Sequence, residues 1–207
     1  MIGGTGKSGM FLVKELLRQN FKIKVLVRNP GKVPFDHPYM EVIVGDVLDK
    51  KALKALISGC DGLISMLGMG IPHREPTIFS KATKLILEVL EANRVGRYLV
   101  ITGLNVDTEI DQKGETTRAA TDWMYSNYPV STKDRQLEYE LLLASKMEWT
   151  LVRLPLIMQT DEAPEIVVSL TDCPGQHISA TSLARFLITV LQNGSHLKEA
   201  PFIANIE

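Results

Sequence analysis

Seven residues near the amino terminus, Gly3-Gly4-Thr5-Gly6-Lys7-Ser8-Gly9, have the composition of a turn that holds an anion on backbone amides. Gly3 permits a tight strand-to-helix turn, Gly6 lets the backbone approach a pyrophosphate, and Gly9 lets the next helix pack closely on a sheet. Free N–H groups at the helix start and the positive end of its dipole then face the anion. The spacing is G-x-x-G-x-x-G rather than G-x-G-x-x-G, a variation found within one nucleotide-binding class. A glycine-rich turn ahead of a helix can also be only that, so the other strand exits have to be read for matching chemistry.

Arg28 follows the apolar run Lys22–Val27, where a dinucleotide-binding protein would meet the adenosine ribose. An acidic residue there suits NAD. An arginine offers a bidentate fork to a 2′-phosphate, and no acidic residue lies between Lys22 and Lys32, so NADP(H) is favoured over NAD(H). The alternative is a surface arginine in a turn. At the next exit Asp46 can accept from an adenine amine while Val47 packs on the ring, although Asp46 can equally cap the following turn. Met66, Leu67 and Gly68 would pass the nicotinamide ribose, or simply end a strand. Thr102 and Gly103 stand where nicotinamide and substrate should meet, and Pro155 and Leu156 would wall that pocket.

The elements that must carry these exits follow from periodicity. Met10–Asn20, Lys50–Ile57, Thr77–Asn93, Lys133–Ser145 and Thr181–Leu191 read as helices, with Asp49 capping the second. Lys22–Val27, Glu41–Val44, the stretch from Asp61, Arg97–Gly103, Trp149–Leu154 and Phe202–Ala204 read as strands. Asn105–Val130 is polar and loop-like, with some helix around Thr116–Tyr125, and a short irregular stretch follows Pro155. Alternating strands and helices imply an α/β fold with a doubly wound parallel sheet. Only Met1 and Ile2 precede Gly3, so the first strand is truncated or nearly absent in this chain. The expected organisation is one domain over 1–207, with 156–207 forming a small lobe on the substrate side.

The totals narrow the function classes. A net charge of −1 gives no electrostatic basis for nucleic acid or an anionic membrane surface as partner. No apolar run approaches ~18 residues, and the first residues lack the regions of a signal peptide. Cys60 and Cys173 have no paired spacing, which suits two reduced thiols in a cytoplasmic protein. His37, His73, His177 and His196 lack ligand spacing, so no metal is expected. His73 and Arg74 could reach an acidic group on a substrate, or merely start a helix. Trp123, Tyr125 and Tyr128 could line a pocket for a flat ring, or anchor a loop. Lys133 and Arg135 are expected to face solvent.

The segments GGTGKSG (3–9), VLVRNPGKVP (25–34), VIVGDVLD (42–49), DGLISMLGMG (61–70), YLVITG (98–103) and SKMEWTLVRLP (145–155) together resemble an atypical short-chain dehydrogenase/reductase. The resemblance is to the NAD(P)H-binding group that includes flavin reductases of the biliverdin reductase B type and the NmrA-like proteins. It spans nearly the whole chain and implies a Rossmann-like fold. Catalytic members of the wider family use Tyr-x-x-x-Lys, the lysine lowering the tyrosine pKa. Here Tyr128 and Lys133 are five apart, and Pro129 disfavours a helix through Tyr128. The serine and histidine of flavin-reductase relatives are replaced by Gly103 and Leu156. Thr102, Tyr128 and Lys133 are therefore weak catalytic candidates. The resemblance implies an NADP(H)-dependent reductase passing hydride to a flavin, quinone or similar flat acceptor, as monomer or small homo-oligomer. The alternative is an NmrA-like sensor that binds NADP(H) without turnover.

Overall fold

Apolar runs and apolar helical stripes fold as alternating strands and helices. The computed structural model describes residues 1–33, 36–69 and 75–206, so Pro34, Gly70, His73 and Arg74 lie outside the described residues. Helix α1 (Gly9–Arg18) is followed by β1 (Ile23–Val27), a short 3-10 turn (Pro30–Lys32), β2 (Met40–Val44), α2 (Lys50–Ile57) and β3 (Gly62–Ser65). Then come α3 (Ile78–Asn93), β4 (Arg97–Gly103), α4 (Glu115–Asn127), α5 (Pro129–Ala144) and β5 (Glu148–Leu154). The chain closes with β6 (Leu156–Met158), β7 (Ile166–Ser169), β8 (His177–Ser179), α6 (Ala180–Asn193) and β9 (Phe202–Asn205).

The main sheet runs β2-β1 on one side and β3-β4-β5-β9-β7 on the other, parallel except where β7 meets β9. The first strand is a stub: Ile2 bridges Leu26 on one side and Ser65 on the other. Its amide donates to the Ile64 carbonyl and its carbonyl accepts from Met66, both at 3.0 Å, while Leu26 donates to Met1. The stub thus holds the central position between β1 and β3. The amino-terminal ammonium of Met1 is buried there, donating to the Lys24 carbonyl.

Side chains alternate across the sheet into two cores. Tyr98, Val100, Trp149 and Leu151 pack with Leu53, Ile86, Leu90 and Leu142 from α2, α3 and α5. Leu99 and Val152 pack with Leu12, Leu16, Leu183 and Leu187 from α1 and α6. Asp49 caps α2 by accepting from Lys51 at 2.8 Å, as its position predicts.

Two stretches depart from the expectation. The helix expected around Thr116–Tyr125 is present as α4 and is longer, Glu115–Asn127; it buries only Thr117 and Thr121, so no apolar stripe marks its extent. Thr121 instead donates its hydroxyl to the Leu104 and Thr117 carbonyls. The stretch after Pro155 holds three strands of three or four residues, too short for a period to emerge. β6 pairs with β8 outside the main sheet, whereas α6 and β9 are built into the main sheet and its core.

Candidate cofactor cleft

The glycine turn folds into a closed loop. The Gly6 amide donates to the Gly3 carbonyl at 3.0 Å, and Met10 to Gly6 at 3.1 Å. Gly3 has φ +78°, and a Cβ on it would lie 2.4 Å from the Met66 carbonyl oxygen. A Cβ on Gly9 would lie 2.0 Å from the Gly3 carbonyl oxygen. Backbone therefore meets backbone at both ends of the turn, and only glycine fits. Ser8 caps α1 without a side-chain hydrogen bond, and no acidic residue occupies the first turn. Among the described residues the amides of Lys7, Ser8 and Gly9 have no acceptor in the chain. That is an anion cradle: a helix start with free donors and no negative charge to compete. Thr5 is half-buried in the turn and Lys7 is exposed.

Arg28 lies directly beyond β1 and is exposed. Asn29 takes the turn chemistry, accepting from Gly31 at 3.0 Å. Arg28 has no hydrogen-bond or ion-pair partner among the described residues, so its guanidinium is available at this exit. Beyond β2, Asp46 accepts from Leu48 at 2.9 Å and so caps its own turn. Val47 is turned into the core with α2. The exposed apolar surface beside it belongs to Val44 and Leu48, which sequence reasoning passed over.

Beyond β3, Met66 is buried, Leu67 is half-buried and Gly68 is exposed. The Leu67 carbonyl accepts from Nη2 of Arg135 at 2.8 Å, and the Ile101 carbonyl on β4 accepts from Nη1 at 3.0 Å. The expectation that Arg135 faces solvent is thus corrected: it reaches from α5 to the strand exits. Lys133, two residues earlier, sits about 200° round the helix from Arg135 and is exposed. Tyr128 joins α4 to α5, edge-on to the Trp123 ring at 5.7 Å. Pro129 starts α5 directly after Tyr128, and Lys133 follows on the first turns of that helix.

Thr102 shares the face of Tyr98 and Val100, and its hydroxyl is buried with no hydrogen-bond partner. A Cβ on Gly103 would meet the Asn105 Oδ1 at 2.8 Å, so glycine lets the buried Asn105 fold back on the exit. Pro155 and the largely exposed Leu156 follow β5. Ser8 also accepts from the Gln159 side chain at 3.1 Å, which links the stretch after β6 to the cradle.

Arg153, at the end of β5, is fully buried. It grips both oxygens of Asp111 at 2.7 and 2.8 Å, and donates to the Ala200 and Leu170 carbonyls. Burial pushes its pKa down, and the Asp111 carboxylate opposes that shift. It ties the loop after β4 to β9 and the turn after β7. A charged residue inside an otherwise apolar strand was the signal for it. A recess of about 520 Å³, lined by Asp107, Thr108, Asp111, Gln112, Lys113 and Arg118, opens beside this clamp.

The glycine turn, the exposed Arg28 and the parallel sheet agree with a comparison of sequences. The profile of a family described as NAD(P)H-binding matches residues 3–194. The chain belongs to this NAD(P)H-binding family. A stretch of 59 residues is 41% identical to protein y4nG of Sinorhizobium fredii, covering 28% of this NAD(P)H-binding chain and 14% of that protein. Three solved structures share the fold. SP1627 of Streptococcus pneumoniae, a candidate NADH-flavin reductase, has a TM-score of 0.79 at 20% identity over 99% of this chain and 97% of its own. A short-chain dehydrogenase/reductase of Veillonella parvula, crystallised with NADP, has a TM-score of 0.78 at 14% identity over 99% and 92%. A Rossmann-fold NAD(P)-binding protein of Shigella flexneri has 0.74 at 20% over 99% and 91%. At these identities the likeness is one of fold. No helix among the described residues of the NAD(P)H-binding protein is long and apolar enough to cross a membrane.

Proposed function

We propose that this NAD(P)H-binding protein is an NADP(H)-dependent reductase that passes hydride to a flavin, quinone or similar flat acceptor. The observation that carries the reading is the closed glycine turn together with an exposed Arg28 that has no partner among the described residues. The fit to a dinucleotide is supported by the amides of Lys7, Ser8 and Gly9, which have no acceptor among the described residues, and by the close backbone packing at Gly3 and Gly9 that holds the turn in this shape. The amides of Lys7, Ser8 and Gly9 take the pyrophosphate, and the Arg28 fork takes the 2′-phosphate. Gly68 leaves the backbone open to a ribose, and Pro155 and Leu156 exclude water from one side of the ring pocket. Reduced nicotinamide supplies the hydride when bound. Holding donor and acceptor rings together supplies much of the rate, and solvent supplies the proton that completes reduction of the acceptor. Ketone reduction is disfavoured, since a developing alkoxide needs a positioned acid and Tyr128 and Lys133 are five apart rather than in Tyr-x-x-x-Lys spacing.

A second reading, a sensor that binds NADP(H) without turnover, is favoured by the burial of the Thr102 hydroxyl. The two separate in one assay. The protein is mixed with NADPH and a panel of FMN, riboflavin and small quinones, and the absorbance of reduced nicotinamide is followed. Oxidation with any acceptor supports the reductase; tight NADPH binding without oxidation across the panel supports the sensor. Cofactor choice is tested by Arg28→Asp, expected to weaken NADPH by about tenfold or more and to spare NADH, from loss of a charge-assisted pair. Unchanged NADPH affinity in that variant removes the 2′-phosphate assignment.

A further inference from the structure

Pairing of β3 with β4 stops at Ser65 and Val100. Beyond that pair, a planar cation stands between the two exits. Arg135 donates through Nη2 to Leu67 at 2.8 Å and through Nη1 to Ile101 at 3.0 Å, bridging strands that no longer bond each other. The guanidinium is itself held rigidly. The Phe79 ring lies against it, with the ring centroid 3.3 Å from Cζ. The buried Glu138 accepts from Nη1 at 2.7 Å and from the Thr83 hydroxyl at 2.8 Å. Phe79 and Thr83 belong to α3, so α3 and α5 together fix one side chain at the strand exits.

The neighbouring carbonyl is held from the other direction. Met66 presents its oxygen to Gly3, where a Cβ would come within 2.4 Å. Met66 is thus seated against the glycine cradle, and Leu67 against Arg135. These two residues lie between the cradle and the β4 exit at Gly103, the path a dinucleotide takes from its pyrophosphate to its nicotinamide.

We propose that Arg135 is a positioning residue for the nicotinamide half of the cofactor: it sets the separation of the β3 and β4 exits where that half enters. The inference rests on the dinucleotide reading above. Arg135 acts through the Leu67 and Ile101 carbonyls. The candidate contacts to the adenosine half, Arg28 and Asp46, belong to the β1 and β2 exits and share none of its partners. Loss of Arg135 therefore penalises one half of the cofactor and spares the other.

The test compares NADPH with adenosine 2′,5′-bisphosphate, which carries the adenosine half and its 2′-phosphate but no nicotinamide. Calorimetric titration of the full chain is made for the wild type, Arg135→Met and Arg135→Lys. Arg135→Met is expected to weaken NADPH by about tenfold or more, from loss of two charge-assisted hydrogen bonds, and to change adenosine bisphosphate by less than about twofold. Arg135→Lys, with one point charge in place of a fork, falls between wild type and Met for NADPH only. Equal weakening of both ligands, or unchanged NADPH binding, overturns the proposal. Should the Met variant fail to fold and bind neither ligand, the Lys variant decides by the same two criteria. A wild type that binds neither ligand overturns the dinucleotide reading first, and this inference with it.

Discussion

A methyl group at Gly9 would sit 2.0 Å from the Gly3 carbonyl oxygen, while one at Gly68 would meet nothing within 4 Å. Helix propensity alone favours alanine over glycine at Gly9 by about 1 kcal/mol. The contact is backbone on backbone, so no rotamer relieves it, and overpacking of this kind costs about 1–3 kcal/mol. The clash wins. Gly9→Ala is expected to lose about 1–2 kcal/mol in urea unfolding and to lose NADPH binding, whereas Gly68→Ala stays within about 0.5 kcal/mol of wild type. Wild-type stability and binding in Gly9→Ala would mean that the cradle is not closed in this way. The glycines were legible in the sequence because their constraint is local: seven consecutive residues define the turn. Arg135 was not. Its acceptors are carbonyls 34 and 68 residues away, and a carbonyl carries no residue identity. Its neighbours Lys133 and Asp134 make that turn of the helix look like a solvated face, although Asp134 is also buried.

Helix α1 carries the cradle at its start and is fastened to α6 nearer its end. Glu15 accepts from Arg18 at 3.0 Å and Gln19 at 3.1 Å on its own helix, and from Arg185 of α6 at 3.2 Å. The Arg18 hydrogen bond holds the Glu15 carboxyl down at about 2, from an ordinary 4.5, against burial that pushes it up. The folded state therefore prefers the ionised carboxylate. Its contribution is full above pH 4.5 and is lost as pH falls through about 2. Glu15→Gln is expected to cost about 1–2 kcal/mol at neutral pH, allowing for the exposure of the arginine partners. The gap from wild type should close between pH 4.5 and 2 in urea titrations at a series of pH values. A gap that stays constant over that range would assign the loss to packing. Element existence was legible wherever one face is apolar, as in α1, α2 and α6. Where the face is hydroxyl-lined, as in α4, some helix around Thr116–Tyr125 was legible but not its full extent, Glu115–Asn127. Nor was the cap of α3: Thr77 makes no side-chain cap, and Asp134 on α5 accepts from Phe79 at 2.8 Å and Ser80 at 3.2 Å instead. Such a cap joins residues more than fifty positions apart, beyond any local capping rule.

At the scale of the molecule, two residues join the sheet. Among the described residues β1 and β2 pair with each other and are joined to β3 through Met1, which bonds to β1, and Ile2, which bridges to both sides. Ile2 belongs to the core under α2 and α3, and Met1 to the core under α1 and α6. The glycine turn leaves the sheet at this seam, so under the dinucleotide reading the stability of the seam and the shape of the proposed site are one question. The sequence marked the stub but not its consequence, which is electrostatic. The Met1 ammonium is buried in the sheet, and burial lowers its pKa from 8.0 to about 5. In a polypeptide that begins at Met1, the folded state holds this amine neutral near pH 7 while the unfolded state protonates it. The unfolded chain binds the extra proton between pH 5 and 8, so stability rises with pH across that window and is lowest below it. A displacement of this size corresponds to at most about 4 kcal/mol between the two ends. Extending the chain before Met1 by a few strand-forming residues replaces the ammonium with a peptide N–H that can still donate to Lys24. The extended protein is expected to unfold at higher urea, with the slope of stability between pH 5 and 8 removed and NADPH affinity no weaker. The measurement is urea unfolding of both polypeptides at pH 5, 6, 7 and 8. If both show the same slope, the buried ammonium is not its source, and the seam tolerates the charge through solvent access that the closed sheet does not provide.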